Sequence, residues 1–295
     1  MNIEEIINNH YMPTKRKRLR ENTLEGYESA FKCHVIPRWG SYEISAIERD
    51  DIQEWVDNFP TAGAAWKAFK SLRQVIRWAI YKFKMLVIDP TVGVEKPRKA
   101  PYFPKVLTAP ALKKRIDGFK NYPHEATVII QSSLGLRPGE NYALDWRDIN
   151  MTTGAVKVHK TLQQFRGGMK IYLPKTSKGW RDLILPKWAL ERLREIWRSL
   201  GRPKGRIIGS LTPSAIASRI KRYAVKLKLP TITMENTRHT WGTLAVESGG
   251  DIATIAMMMG HSDITTTYKY YLRISTRAMR KLQRKLGVVL SKYKR

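Results

Sequence analysis

Residues 237–271, TRHTWGTLAVESGGDIATIAMMMGHSDITTTYKYY, set Arg238 beside His239, place a Gly-His pair at 260–261 and end in three tyrosines, Tyr268, Tyr270 and Tyr271. Arginine and histidine are donors suited to an anion, and a tyrosine hydroxyl is a nucleophile once its proton is lost. Taken singly, each has a plainer reading. Arg238 and His239 can brace a helix, His261 can cap one, and the tyrosines can pack half-buried. What the rest of the chain supplies decides between these readings.

Lys and Arg number 54 against 25 Asp and Glu, a formal net charge of +29. Solubility requires far less, so an extended polyanion, nucleic acid first of all, is the natural partner. The excess is uneven: residues 1–100 hold 17 basic and 13 acidic residues, residues 101–295 hold 37 and 12. The second part should therefore grip phosphates harder. At 295 residues and 42% apolar content the chain can build two ordinary domains. A single cysteine, Cys33, excludes an internal disulfide and a cysteine-clustered zinc site and suits a reducing compartment. No apolar run reaches the length of a membrane span, and MNIEEIINNH lacks the pattern of a signal peptide. A cytoplasmic, nucleoid-associated protein away from membranes is expected.

Working outward, residues 1–20 with their run KRKRLR read as a basic N-terminal tail, lying across DNA or disordered. Residues 21–88 read as a small helical bundle. Leu24, Tyr27 and Phe31 share a face behind a Thr23 cap, a short acidic-started helix follows Ser45, and Trp66, Phe69, Leu72, Val75, Ile76 and Ala79 recur at helical spacing. Residues 89–108, with prolines at 90, 97, 101 and 104, read as a linker. Residues 109–272 read as a second domain: helices, then GAVKVHKTLQ, GMKIYLP and WRDLILP as a small three-stranded β-sheet, then helices again. The fold class is mainly α, and residues 273–295 form a basic C-terminal helix or tail.

Phosphodiester cleavage without a metal needs arginines to clamp the non-bridging oxygens, an acid for the leaving 5′ oxygen, and an in-line nucleophile. SLGLRPGENYALDWRDI offers Arg137 and Glu140, PKTSKGWRDLILP offers Lys175 on a turn, and ENTRHTWG offers Glu235, Arg238 and His239. The Gly-His pair and the tyrosines complete the set. Individually, Arg137 can be a cap paired with Glu140, and Lys175 a solvated turn lysine; the order in which the groups occur shifts the balance.

That order resembles the tyrosine recombinase, or phage integrase, family over essentially the whole chain, most firmly over residues 104–275. LGLRPGE with ALDWRDI is similar to its first arginine box, KTSKGWRDLILP to its lysine β-hairpin, and residues 237–271 to its second box through the tyrosine. The family's nucleophile usually lies nine residues beyond the Gly-His histidine, which selects Tyr270. Tyr271 would be turned by about 100° on a helix, so it cannot share that direction, and Tyr268 is left to packing. The resemblance implies an N-terminal SAM-like domain and an α+β catalytic domain closing on double-stranded DNA. It implies attack by Tyr270 to form a 3′-phosphotyrosyl link, Arg137 and Arg238 neutralising the transition state, Lys175 as acid, and His261 bonding the scissile phosphate. Strand exchange would pass through a Holliday junction in a homotetramer on two DNA sites, with no metal, cofactor or ATP. DNA-bending or excision proteins are compatible accessory partners. The C-terminal helix would dock on a neighbouring protomer or fold back on its own domain.

One position departs. The family's second box usually reads His-x-x-Arg, and Glu235 stands where the histidine would be. A carboxylate near a phosphate is repelled unless protonated or turned away. Glu235 is therefore expected to support the site, alongside His239 buttressing it and Glu140 bracing Arg137. Two other readings compete with an integrase of a phage or mobile element: a sequence-specific DNA-binding protein with a weakened site, and a monomeric relaxer similar to a type IB topoisomerase.

Overall fold

A computed structural model describes residues 1–84, 88–98, 103–174, 179–261, 263, 265, 283, 284 and 288. The chain divides into two compact units, Met1–Tyr102 with Phe165–Gly167, and Phe103–Gln164 with Gly168–Arg295. Among the described residues no helix is long and apolar enough to cross a membrane.

The regular elements described within Met1–Tyr102 are all helices, and the N-terminus corrects the expected tail. Helix α1 (Ile3–Glu5), a wider π-wound segment Ile6–Tyr11 and α2 (Met12–Arg16) follow without a break, and Ile3, Ile6, Ile7, Tyr11 and Met12 are buried. The reason is local. Asn2 and Glu5 close a reciprocal cap, with Asn2 N donating to Glu5 Oε2 at 3.0 Å and Glu5 N to Asn2 Oδ1 at 2.8 Å. Isoleucines at 3, 6 and 7 and a tyrosine at 11 then share one face of the helix. Helix α3 (Glu21–Ala30) begins at Glu21, so Thr23 lies within it rather than capping it. After α4 (Ile36–Trp39), helix α5 (Arg49–Asp57) carries Asp50 and Asp51 in its first turn, where the helix dipole favours anions. The 22-residue α6 (Ala62–Phe83) is capped by Thr61, whose hydroxyl accepts from Ala64 N at 3.3 Å. Its buried Phe69, Leu72, Val75, Ile76 and Ala79 form the spine of the core.

In the second unit α7 (Ala109–Gly118) leads to α8 (Glu125–Leu134), which is almost wholly buried because α7, α9 (Pro138–Ala143), α10 (Lys187–Ser199) and α12 (Met234–Glu247) all pack on it. Helix α11 (Pro213–Lys226) packs on α9, and α13 (Ile252–Met259) on α12. Polar side chains lock this centre. Gln131 on α8 donates to Leu136 O at 2.6 Å and Met234 O at 2.9 Å, while Asn141 on α9 donates to Gln131 Oε1 at 2.9 Å and Thr127 O at 3.2 Å. Buried amide hydrogen bonds that run between elements fix one arrangement of α8, α9 and α12, with Asn141 Oδ1 left without a partner.

The β-structure differs from the single three-stranded sheet expected. The described strands form two two-stranded ladders, β1 (Ala155–Val158) with β4 (Arg181–Ile184), antiparallel with Val156 opposite Leu183, and β2 (Thr161–Phe165) with β3 (Gly168–Tyr172). The run GAVKVHKTLQ is split at His159–Lys160. There Lys160 Nζ lies 2.7 Å and His159 Nε2 3.8 Å from the Asp148 carboxylate, so consecutive side chains turn to one partner instead of alternating across a strand.

Candidate active site

Four turns of chain converge on one end of α13. Helix α8 ends at Gly135, whose φ of +59° is the left-handed conformation glycine accepts. A Cβ there would sit 2.5 Å from Trp241 Cε3, so Gly135 also lets α12 approach. Arg137 is the cap of α9, Arg181 opens β4, Arg238 lies mid-way along α12, and α13 ends at Gly260 with φ +69°.

The three arginines then meet three successive carbonyls. Arg181 Nε donates to Met258 O at 2.8 Å, Arg238 Nη2 to Met259 O at 2.9 Å, and Arg137 Nη2 to Gly260 O at 2.6 Å. These are the unsatisfied last carbonyls of a helix, at the negative end of its dipole, so cations are favoured there. Arg238 is 2% exposed and also donates to Gly135 O at 3.0 Å. These carbonyls hold the guanidinium without cancelling its charge.

Glu140 is the carboxylate of this cluster. Its Oε2 accepts from Arg137 N at 2.9 Å and Arg181 Nη2 at 2.7 Å, and its Oε1 from both Arg137 Nη1 and Arg181 Nη1 at 3.1 Å. Burial by itself would raise its pKa; the hydrogen bonds and charge of Arg181, with those of Arg137, hold it below the ordinary value. It is ionised, and bracketed by two cations.

His261 follows Gly260, and its Nε2 lies 2.8 Å from Arg238 Nη2. Burial, then Arg238, Arg137, His239 and Arg181, lower its pKa to about 4. The imidazole is therefore neutral near pH 7, with Nε2 accepting from Arg238 and the proton assigned to Nδ1. Since an unfolded imidazole titrates near 6.5, the unfolded chain binds the extra proton between about pH 6.5 and 4. Stability should accordingly fall as pH drops through that window and level off below it. Urea midpoints measured from pH 7 to 3.5 should show this slope flattened in His261→Gln; equal slopes in both proteins would contradict the assignment.

His239 is lowered by burial, opposed by Glu235 and assisted by Arg238. Glu235, on the first turn of α12, has a side chain 53% exposed and an Oε1 3.9 Å from His239 Nε2. It faces His239 and solvent. Of the residues singled out from sequence, Arg137, Glu140, Arg238 and His261 are thus gathered into one cluster, and His239 with Glu235 lines its α12 side. Lys175 and Tyr270 lie outside the described residues, as does 273–295 apart from 283, 284 and 288. Arg181 was missed. Its signal was present: in WRDLILP it shares parity with Leu183 and Leu185, both buried, so an arginine occupies an inward-facing strand position.

Residues 107–277 match the model of the phage integrase family, and residues 5–59 that of the phage integrase N-terminal SAM-like domain. The chain belongs to the phage integrase family. Its members are tyrosine recombinases, DNA breaking-and-rejoining enzymes. Curated relatives include tyrosine recombinase XerD of Staphylococcus haemolyticus, 28% identical over 86% of this chain and 88% of its own length. Tyrosine recombinase XerC of Actinobacillus succinogenes is 28% identical over 68% of this chain and 67% of its own. Among solved structures, the Tn1549 transposon integrase in complex with transposon right end DNA shares the fold at TM-score 0.79 and 19% identity, covering 97% of this chain and all of that one. The lambda integrase fragment bound as a dimer to a core site does so at 0.71 and 17%, covering 92% and 95%.

Proposed function

We propose that this phage integrase family member is the recombinase of a phage or mobile element. It would cut and rejoin DNA through a 3′-phosphotyrosyl intermediate and a Holliday junction, as a tetramer on two duplexes, without metal or ATP. The observation that carries this reading is the convergence of Arg137, Arg238 and His261 at the end of α13, with His261 nine residues before Tyr270. Two guanidiniums whose contacts include neutral carbonyls supply positive charge for the non-bridging oxygens of a phosphorane-like transition state. Neutral His261 adds a hydrogen bond. Tyr270 releases its phenolic proton to solvent and forms the bond to phosphorus as the bond to the 5′ oxygen breaks, and Lys175 gives that oxygen its proton. The covalent link keeps the phosphodiester energy, so a 5′-hydroxyl of another strand can reverse the step.

The relatives' names support DNA as substrate, and a lambda integrase tetramer bound to a Holliday junction, 16% identical at TM-score 0.67, supports the assembly. The net charge of +29 fits the same partner. Glu235 supports a second reading, a DNA-binding protein that does not cut, and one assay separates the two. Incubated with nicked suicide duplexes from the ends of its element, the wild-type protein should form a denaturant-resistant adduct on Tyr270, and Tyr270→Phe none. Binding with no adduct on any tyrosine would establish the second reading.

A further inference from the structure

Arg181 has a side chain 6% exposed, and its fork is fully engaged, Nε on Met258 O and both Nη atoms on the two oxygens of Glu140. Glu140 is at the same time the partner of Arg137, through the backbone N–H and Nη1. A carboxylate held by one arginine cancels that arginine's charge. Shared between two, it leaves one positive charge on the Arg137–Glu140–Arg181 cluster. The surplus is presented at Arg137, whose side chain is 42% exposed. We propose that Arg181 is a positioning residue for strand cleavage: it occupies and neutralises Glu140, so that Arg137 keeps its charge for the phosphate.

This inference rests on Arg137 being a phosphate ligand. A merely structural ion pair would make Glu140 and Arg181 removable with the same loss, whereas the present argument makes an unpaired Glu140 harmful in itself. Once Arg181 is gone, the carboxylate turns wholly to Arg137, and replacing it by an uncharged amide should release Arg137 again.

The test compares wild type, Arg181→Met, Arg181→Lys and the double variant Arg181→Met/Glu140→Gln. Duplex affinity is measured by titration and single-turnover adduct formation at saturating duplex on the nicked substrate. We expect duplex affinity to change by less than about threefold, because distributed phosphate contacts dominate it. Arg181→Met should cleave about 10- to 100-fold more slowly, the scale of one charge-assisted contact misdirected. The double variant should recover most of that rate. A lysine keeps the charge but cannot reach both Glu140 oxygens and Met258 O, so Arg181→Lys should lose less than Arg181→Met and more than nothing. Cleavage by Arg181→Met at the wild-type rate, or a double variant as slow as the single, overturns the proposal. If Arg181→Met does not fold, by its melting curve, a wild-type rate in Arg181→Lys overturns it equally. No adduct in the wild type would instead sink the functional reading, which keeps the two failures apart.

Discussion

Alanine at position 260 should leave a folded protein that binds DNA and cuts it more than about a hundredfold more slowly, the cost of misplacing catalytic groups by a fraction of an ångström. A Cβ on Gly260 would lie 2.8 Å from Arg181 Nη1, 3.0 Å from Arg181 Cζ and 3.2 Å from Arg137 Nη1. Arg181 cannot retreat, because Glu140 and Met258 O hold it. The left-handed φ of +69° adds strain for any side chain, so stability should fall by about 1–3 kcal/mol in all. Gly209 makes the control. Its φ is +63°, yet nothing lies within 4 Å of the Cβ it would gain. Gly209→Ala should show strain of similar origin in its melting curve and cleave like wild type; equal cleavage by Gly260→Ala would show that the arginines tolerate the intrusion.

Arg238→Ala should be the most damaging single replacement among the described residues. It strips buried Gly135 O and Met259 O of donors, at about 1–3 kcal/mol for each carbonyl left dry, and removes the partner of His261 Nε2. Chemical denaturation should register a loss of several kcal/mol unless water enters the gap. Cleavage at saturating DNA should fall about 100- to 1,000-fold, as for removal of a preorganised transition-state donor. Arg238→Lys separates the two effects. It restores the charge while reaching at most part of the fork's contacts, so stability should recover more than rate does. A lysine variant as fast as wild type would mean that charge suffices and direction does not matter.

The site residues read from sequence were legible through the order of their motifs, and two of them also sit at punctuation points. Arg137 precedes a proline that starts a helix, His261 follows a glycine that ends one, and Arg238 stands beside His239 mid-way along α12. Arg181 had no such mark, and its meaning depends on Glu140, 41 residues away. The N-terminus was misread for a different reason. The charge run at 15–20 outweighs, in composition, the isoleucine spacing just before it, yet burial rather than charge decides where a segment lies. The pairing of β1 with β4, with β2 and β3 between them in the chain, is a long-range choice made by the buried faces of Val156, Val158 and Leu183. Strand patterns alone do not encode it. Glu235 was recognisable as a departure, but only its exposure and its place beside His239 say which way it turns.

The carbonyls at the end of α13 also carry a consequence for biosynthesis. The contacts that assemble the cluster join residues 103 apart for Arg238 with Gly135, 77 apart for Arg181 with Met258 and 123 apart for Arg137 with Gly260. Such closures are entropically late steps. The first unit lies almost wholly within Met1–Tyr102, so a nascent chain can complete most of it long before residue 260 leaves the ribosome. The growing polypeptide would then carry a largely folded first unit well before the arginine cluster of the second can assemble.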